Sequence, residues 1–129
     1  MQKHKDLLYY AEYDDLKIAL QSLNSGDPSI RPILYHAQQC AEKTLKGFLC
    51  YKKKLPPKIH DLVILVEHCA VIDKDFKSLL FAAAELNPYC TKTRYPDSGL
   101  YSPDISLAED AVKQAKTILE FVKAKIDKR

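Results

Sequence analysis

Tyr35-His36-Ala37-Gln38-Gln39-Cys40-Ala41-Glu42-Lys43-Thr44-Leu45-Lys46 is the stretch around which the rest of the chain is arranged. Set on a helix at about 100° per residue, it divides into two sides. Leu34, Ala37, Ala41, Thr44, Leu45 and Phe48 share one and form an apolar stripe. Tyr35, His36, Gln39, Glu42, Lys43 and Lys46 share the other, a face that offers acid, base, amide and cation within a few turns. Solubility alone does not require that variety, so this polar face is the first candidate for function.

The flanking sequence reads as further helices. From about His4 to Ser25, Tyr9, Tyr13, Leu16, Leu20 and Leu23 recur at steps of four and three, the period of one helical face. Ser25-Gly26-Asp27-Pro28 stops that helix, with Gly26 suited to a left-handed C-terminal position and Asp27-Pro28 to an N-cap and first helical residue. The second helix runs from about Ser29 to Lys52, with Pro32 in its first turn and Lys52-Lys53-Lys54 against the negative end of its dipole. Leu55-Pro56-Pro57-Lys58-Ile59 is a stiff connector. His60-Asp61 opens a third helix, whose buried face is Leu62, Leu65, Val66, Cys69 and Ile72. Asp73-Lys74-Asp75 caps a fourth, from about Asp75 to Tyr89, with Phe76, Leu79, Leu80, Ala83 and Leu86 inward and Asn87-Pro88 weakening its last turn.

Cys90 to Pro103 is the one substantial loop, and loops of that length in a small chain tend to carry function. Ser102-Pro103-Asp104 then signals a helix start, and Ala108, Val112, Ala115, Leu119, Val122 and Ile126 form an unbroken bundle seam. Nothing alternates with the period of two that a strand needs. The expected fold is all-α: an up-and-down antiparallel bundle of four to five helices, in a single domain over residues 1–129.

Composition agrees. The chain of 129 residues is 47% hydrophobic and 29% charged, with only three glycines. A net charge of +3 is too small to imply an anionic partner by itself. No run approaches the ~18 apolar residues of a membrane span, and the N-terminus has no apolar signal core. A soluble, cytoplasmic protein with no membrane association is expected. Cys40, Cys50, Cys69 and Cys90 lie far apart and read as free thiols, Cys40 and Cys69 on apolar faces. Of possible metal ligands only His68 and Cys69 adjoin, and neighbouring helical side chains diverge by about 100°, so no metal site and no cofactor are expected. The glycine-rich loop of a phosphate cradle is absent.

Arg31 and His36 fit an Arg-x4-His spacing. The pair suits RNA cleavage, imidazole moving a 2′-hydroxyl proton while guanidinium holds phosphate, although the two positions diverge by about 140° on an ideal helix. His60 and Arg94-Tyr95-Pro96-Asp97 have purely structural readings, as cap neighbour and turn.

Three markers, taken together, resemble one family. Tyr35 to Lys46 resembles the His-Ala-Gln-Gln-x-x-Glu-Lys-x-Leu-Lys signature of HEPN domains (higher eukaryotes and prokaryotes nucleotide-binding). Pro56-Pro57-Lys58-Ile59-His60-Asp61-Leu62 resembles the Pro-Pro-x-x-His-Asp-Leu that follows it, and Arg94-Tyr95-Pro96 resembles the Arg-Tyr-Pro loop before the last helix. The resemblance implies an up-and-down helical bundle, often encoded beside a minimal nucleotidyltransferase and similar to the substrate-binding helices of aminoglycoside nucleotidyltransferases. On that reading the chain is a homodimeric, non-catalytic nucleotide- or substrate-binding module. Lys43, Lys46 and Arg94 would hold phosphate, Gln39 and Glu42 base or sugar, and Tyr95 would stack, with His36, His60 and Asp61 completing the site. The alternative is a metal-independent, toxin-like endoribonuclease using His36 with Arg31 or Arg94. The nuclease branches of the family carry their Arg-x4–6-His later in the bundle than Arg31 and His36.

Overall fold

A computed structural model describes residues 3–90 and 104–127, all helix or short connection. Five helices follow in chain order. Helix α1 comprises an α-helical Lys3–Tyr9, a π-helical Tyr10–Leu16 and an α-helical Lys17–Leu23. Helix α2 is Ile30–Tyr51 and α3 is Leu62–Ile72. A 3-10 turn, Lys74–Leu79, leads into α4, Leu80–Leu86, which tightens again into a 3-10 turn at Asn87–Cys90. Helix α5 is Ile105–Asp127. The architecture is the expected all-α, up-and-down bundle.

Helix α2 is its axis. It packs against all four other helices, most extensively α1 and then α5. Ile33, Leu34, Ala37, Cys40, Ala41, Leu45, Phe48 and Leu49 are buried along it. The seam expected in the last helix is buried from Ala108 through Val122. Phe76, at the start of the fourth helical segment, joins the layers: its ring lies 4.3 Å from that of Phe48 and 5.0 Å from that of Phe121. Gly47 lets α1 approach α2 closely, since a Cβ there would meet Leu8 Cγ at 3.3 Å. Burial pushes the Cys40 and Cys69 thiols up to about 12, so these are inert core groups.

Helix ends follow local chemistry, with two departures from expectation. Asp61 caps α3, its Oδ1 accepting from the Ile64 N–H at 3.1 Å, and Asp73 caps the next segment by accepting from the Asp75 N–H at 3.0 Å. Asp104 accepts from the Leu107 N–H at 3.1 Å at the head of α5; Ser102 and Pro103, expected to share that start, lie outside the described residues. The first departure is at the α1–α2 connection. Gly26 does not adopt a left-handed conformation. Ser29, not Asp27, occupies the N-cap, and its N–H donates to Ser22 Oγ at 2.9 Å to close the turn.

The second departure is α1 itself. The expected inward stripe includes Tyr9 and Tyr13, yet these are 57% and 53% exposed. The buried positions are Ala11, Asp15, Leu16 and Ala19. The cause is the π-helical stretch, in which the Lys17 N–H reaches the Glu12 carbonyl five residues back. One extra residue per turn breaks the 100° rule and turns Asp15 inward.

Candidate functional site

The polar face of α2 is built around two buried carboxylates, each serving two cationic or imidazole partners. Asp15, 3% exposed, is delivered from the π-helical part of α1. His36 Nδ1–H donates to its Oδ1 at 2.8 Å, and Lys43 Nζ donates to its Oδ2 at 2.6 Å. A carboxylate is an acceptor, so the contact places an imidazole proton on Nδ1. His36 and Lys43 are seven residues apart, two turns of α2, and therefore stand one above the other over Asp15.

Glu42 is the second hub. The helical wheel places it on the open polar face; it is instead 6% exposed. Its partners explain how a charged group is accommodated there. Oε1 accepts from Gln38 Nε2 at 3.2 Å and from Gln39 Nε2 at 3.4 Å. Oε2 accepts from His60 Nδ1–H at 2.9 Å and from Lys46 Nζ at 3.2 Å. Burial works to raise the Glu42 carboxyl, but the His60 hydrogen bond, the Lys46 charge and the Gln38 amide together hold it below its ordinary value. Glu42 is thus ionised and saturated. It orients Lys46 and His60.

Gln38, from the signature stretch, and Asn87, which carries no such mark in the sequence, complete the frame. Gln38, fully buried, also donates to the His60 carbonyl at 3.2 Å, tying α2 to the start of α3. Asn87 Nδ2 donates to Asp61 Oδ1 at 3.1 Å, and Asn87 Oδ1 accepts from the Leu62 N–H at 2.8 Å. The Asn87–Cys90 turn is thereby fixed against the N-terminus of α3. Asp61 is a structural cap and anchor. Among the described residues every buried side-chain polar atom has a partner, so the network is complete in itself.

Of the sequence-predicted residues, His36, Gln39, Glu42, Lys43, Lys46, His60 and Asp61 come together along α2 and the start of α3. Arg31 lies in the exposed first turn of α2, and the hydrogen bond from His36 Nδ1 goes to Asp15. Arg94 and Tyr95 lie outside the described residues. Sequence reasoning misses Asp15 because a uniform helical period assigns it to solvent. It misses Cys90 as a neighbour of the site because only the fold brings it to Glu42 and His60.

The geometry defines a class: an all-α bundle with a buried, fully paired polar network on its central helix, reached from the N-terminus of α3. The HEPN domain family model matches residues 4–125, and the chain belongs to that family. Two solved structures share its fold. TT1696 from Thermus thermophilus is 32% identical, with a TM-score of 0.81 over 97% of this chain and 99% of that one. ST0689, an archaeal HEPN homologue, is 26% identical, with a TM-score of 0.76 over 98% of this chain and 100% of that one. No curated protein is significantly similar to the chain. Among the described residues no helix is long and apolar enough to cross a membrane.

Proposed function

We propose that this chain is a homodimeric nucleotide- or substrate-binding module that acts with a separate minimal nucleotidyltransferase. One observation carries the reading: two buried carboxylates hold four basic side chains, His36, Lys43, Lys46 and His60, along one side of the bundle. A lysine pinned in this way has already lost much of its rotamer freedom, so capturing a phosphate costs less further ordering. Each ammonium uses one of its three donors on its carboxylate, which leaves donors for a phosphate oxygen. Gln39 and the His60 imidazole, 68% exposed, supply hydrogen bonds for a base or sugar. The π-helical stretch supports the reading, because such irregularities concentrate at functional sites and this one places Asp15.

The nuclease alternative gains less from the geometry. Arg31 is about 140° round the helix from His36 on ideal geometry. His36 shares its carboxylate with Lys43 instead.

The test is thermal unfolding of the purified protein in excess chelator with ATP as probe. Saturation at about 100 times Kd corresponds to a stabilisation of about 2.7 kcal/mol. The expected result is a nucleotide-dependent rise in Tm that Lys43→Ala reduces. No rise with any nucleoside triphosphate, together with RNA cleavage that His36→Ala abolishes, overturns the binding-module reading.

A further inference from the structure

Three metal-ligating groups of different chemistry converge where α2, the start of α3 and the Asn87–Cys90 turn meet. A carboxylate oxygen of Glu42, a ring nitrogen of His60 and Cys90 Sγ all lie within 4.8 Å of one another. We propose that Glu42, His60 and Cys90 bind one divalent, thiophilic cation of the zinc class.

The donor set is the first argument. One carboxylate oxygen, one imidazole nitrogen and one thiolate sulfur are the three atom types that zinc takes from proteins, at roughly 2.0–2.3 Å. Around a tetrahedral ion such atoms sit roughly 3.3–3.8 Å apart, so side-chain rotation closes the cluster without moving a helix. Carboxylate and thiolate balance the two positive charges, and the fourth position stays open for water or an anionic ligand.

The supports are the second argument. Gln38 donates both to Glu42 Oε1 and to the His60 carbonyl, so one buried amide positions two ligand-bearing residues. Asn87 bonds Asp61 and the Leu62 N–H, which locks the turn that carries Cys90 against the residue next to His60. Outer contacts of this kind distinguish a prepared site from residues that merely pass near one another.

Lys46 Nζ bonds Glu42 Oε2 at 3.2 Å, on the oxygen a cation would take. Metal entry displaces that ammonium on its flexible four-carbon stem. The Cys90 thiol loses its proton to solvent as the sulfur–metal bond forms. His60 gives up its hydrogen bond to Glu42 and presents the freed nitrogen, its proton carried on the other one. Metal entry undoes the two Glu42 contacts that the nucleotide reading uses, so the two are tested apart, the nucleotide reading in chelator.

The experiment uses the full chain, reduced, stripped with chelator and titrated with cobalt(II), then with zinc. One equivalent of cobalt is expected to give thiolate-to-metal charge-transfer absorption that zinc abolishes. Cys90→Ser removes the band, His60→Gln weakens binding at least about tenfold, and Lys46→Ala tightens it. Cys50→Ser and His68→Gln leave it intact. Cys90 is only half-buried and His60 is exposed, so both variants keep the fold, and far-ultraviolet circular dichroism checks that they do. No cobalt binding to the wild type, a band that persists in Cys90→Ser, or binding unchanged by His60→Gln overturns the proposal.

Discussion

Lys53 holds φ at 60°, the left-handed region that a side chain with a Cβ rarely adopts. The helix end imposes it. The Lys53 N–H donates to the Cys50 carbonyl and the Lys54 N–H to the Leu49 carbonyl, both at 2.9 Å, which is the Schellman pattern that closes α2. Glycine fits that position without strain, so Lys53→Gly is expected to stabilise the protein by about 0.5–1 kcal/mol in urea unfolding. A second residue-scale effect concerns Asp73. Lys125 Nζ contacts Asp73 Oδ2 at 2.8 Å and, with the Asp75 N–H, holds the carboxyl below its ordinary value of 3.8. A depressed carboxyl contributes stability that is complete above its unfolded value and is lost as pH falls through the folded one. Asp73→Asn keeps the cap, since asparagine caps as well as aspartate, and removes only the charge. Its Tm is therefore expected to lie below wild type at neutral pH, and the gap to close in acid below pH 3.8. A gap that is constant with pH would show that the ion pair is not its origin.

At the scale of elements, legibility follows regularity. Helix α5 is readable from its sequence because it buries one face: Ala108, Val112, Ala115, Leu119 and Val122 follow a single period. The α2 stripe is readable for the same reason, up to the point where other elements intervene. Glu42 lies on the polar side of its own helix yet is 6% exposed and bonds His60 at the start of α3, a contact no single-helix pattern contains. Asp15 escapes differently, through a backbone irregularity that leaves no sequence mark. The fourth helical segment is legible in its stripe but not in its 3-10 ends. Phe76 is its anchor, fully buried between Phe48 and Phe121. Phe76→Ala is expected to cost about 3–5 kcal/mol, because the cavity sits where three helical segments meet and none can collapse alone. Calorimetry or denaturant unfolding measures it, and a loss under about 1 kcal/mol would show that this junction is plastic.

At the scale of the molecule, α1 turns two faces to different tasks. Its inner face delivers Asp15 to the polar network. Its outer face leaves Tyr9, Tyr10, Tyr13 and Ile18 exposed. The Tyr9 and Tyr13 rings are 4.9 Å apart and form a ridge beside a groove lined by Leu8, Tyr51 and Ile126. A contiguous aromatic ridge of this kind marks an association surface more often than a solvated one. Helix α1 is about 30 Å long, enough to pair with its own copy about a two-fold axis, where the ridge of one protomer meets the groove of the other. The proposed homodimer is expected to use this surface, burying on the order of 1,200–2,000 Å² in total. Sedimentation equilibrium tests it directly. Wild type is expected to be dimeric at micromolar concentration, and Tyr9→Lys with Tyr13→Lys to be monomeric with unchanged helicity, since both side chains are more than half exposed and support little of the core. A monomeric wild type at that concentration would overturn this use of the ridge. Because the ridge and Asp15 lie on opposite sides of one helix, the pairing surface stands apart from the basic network, and the double variant is expected to keep the nucleotide-induced stabilisation of the wild type.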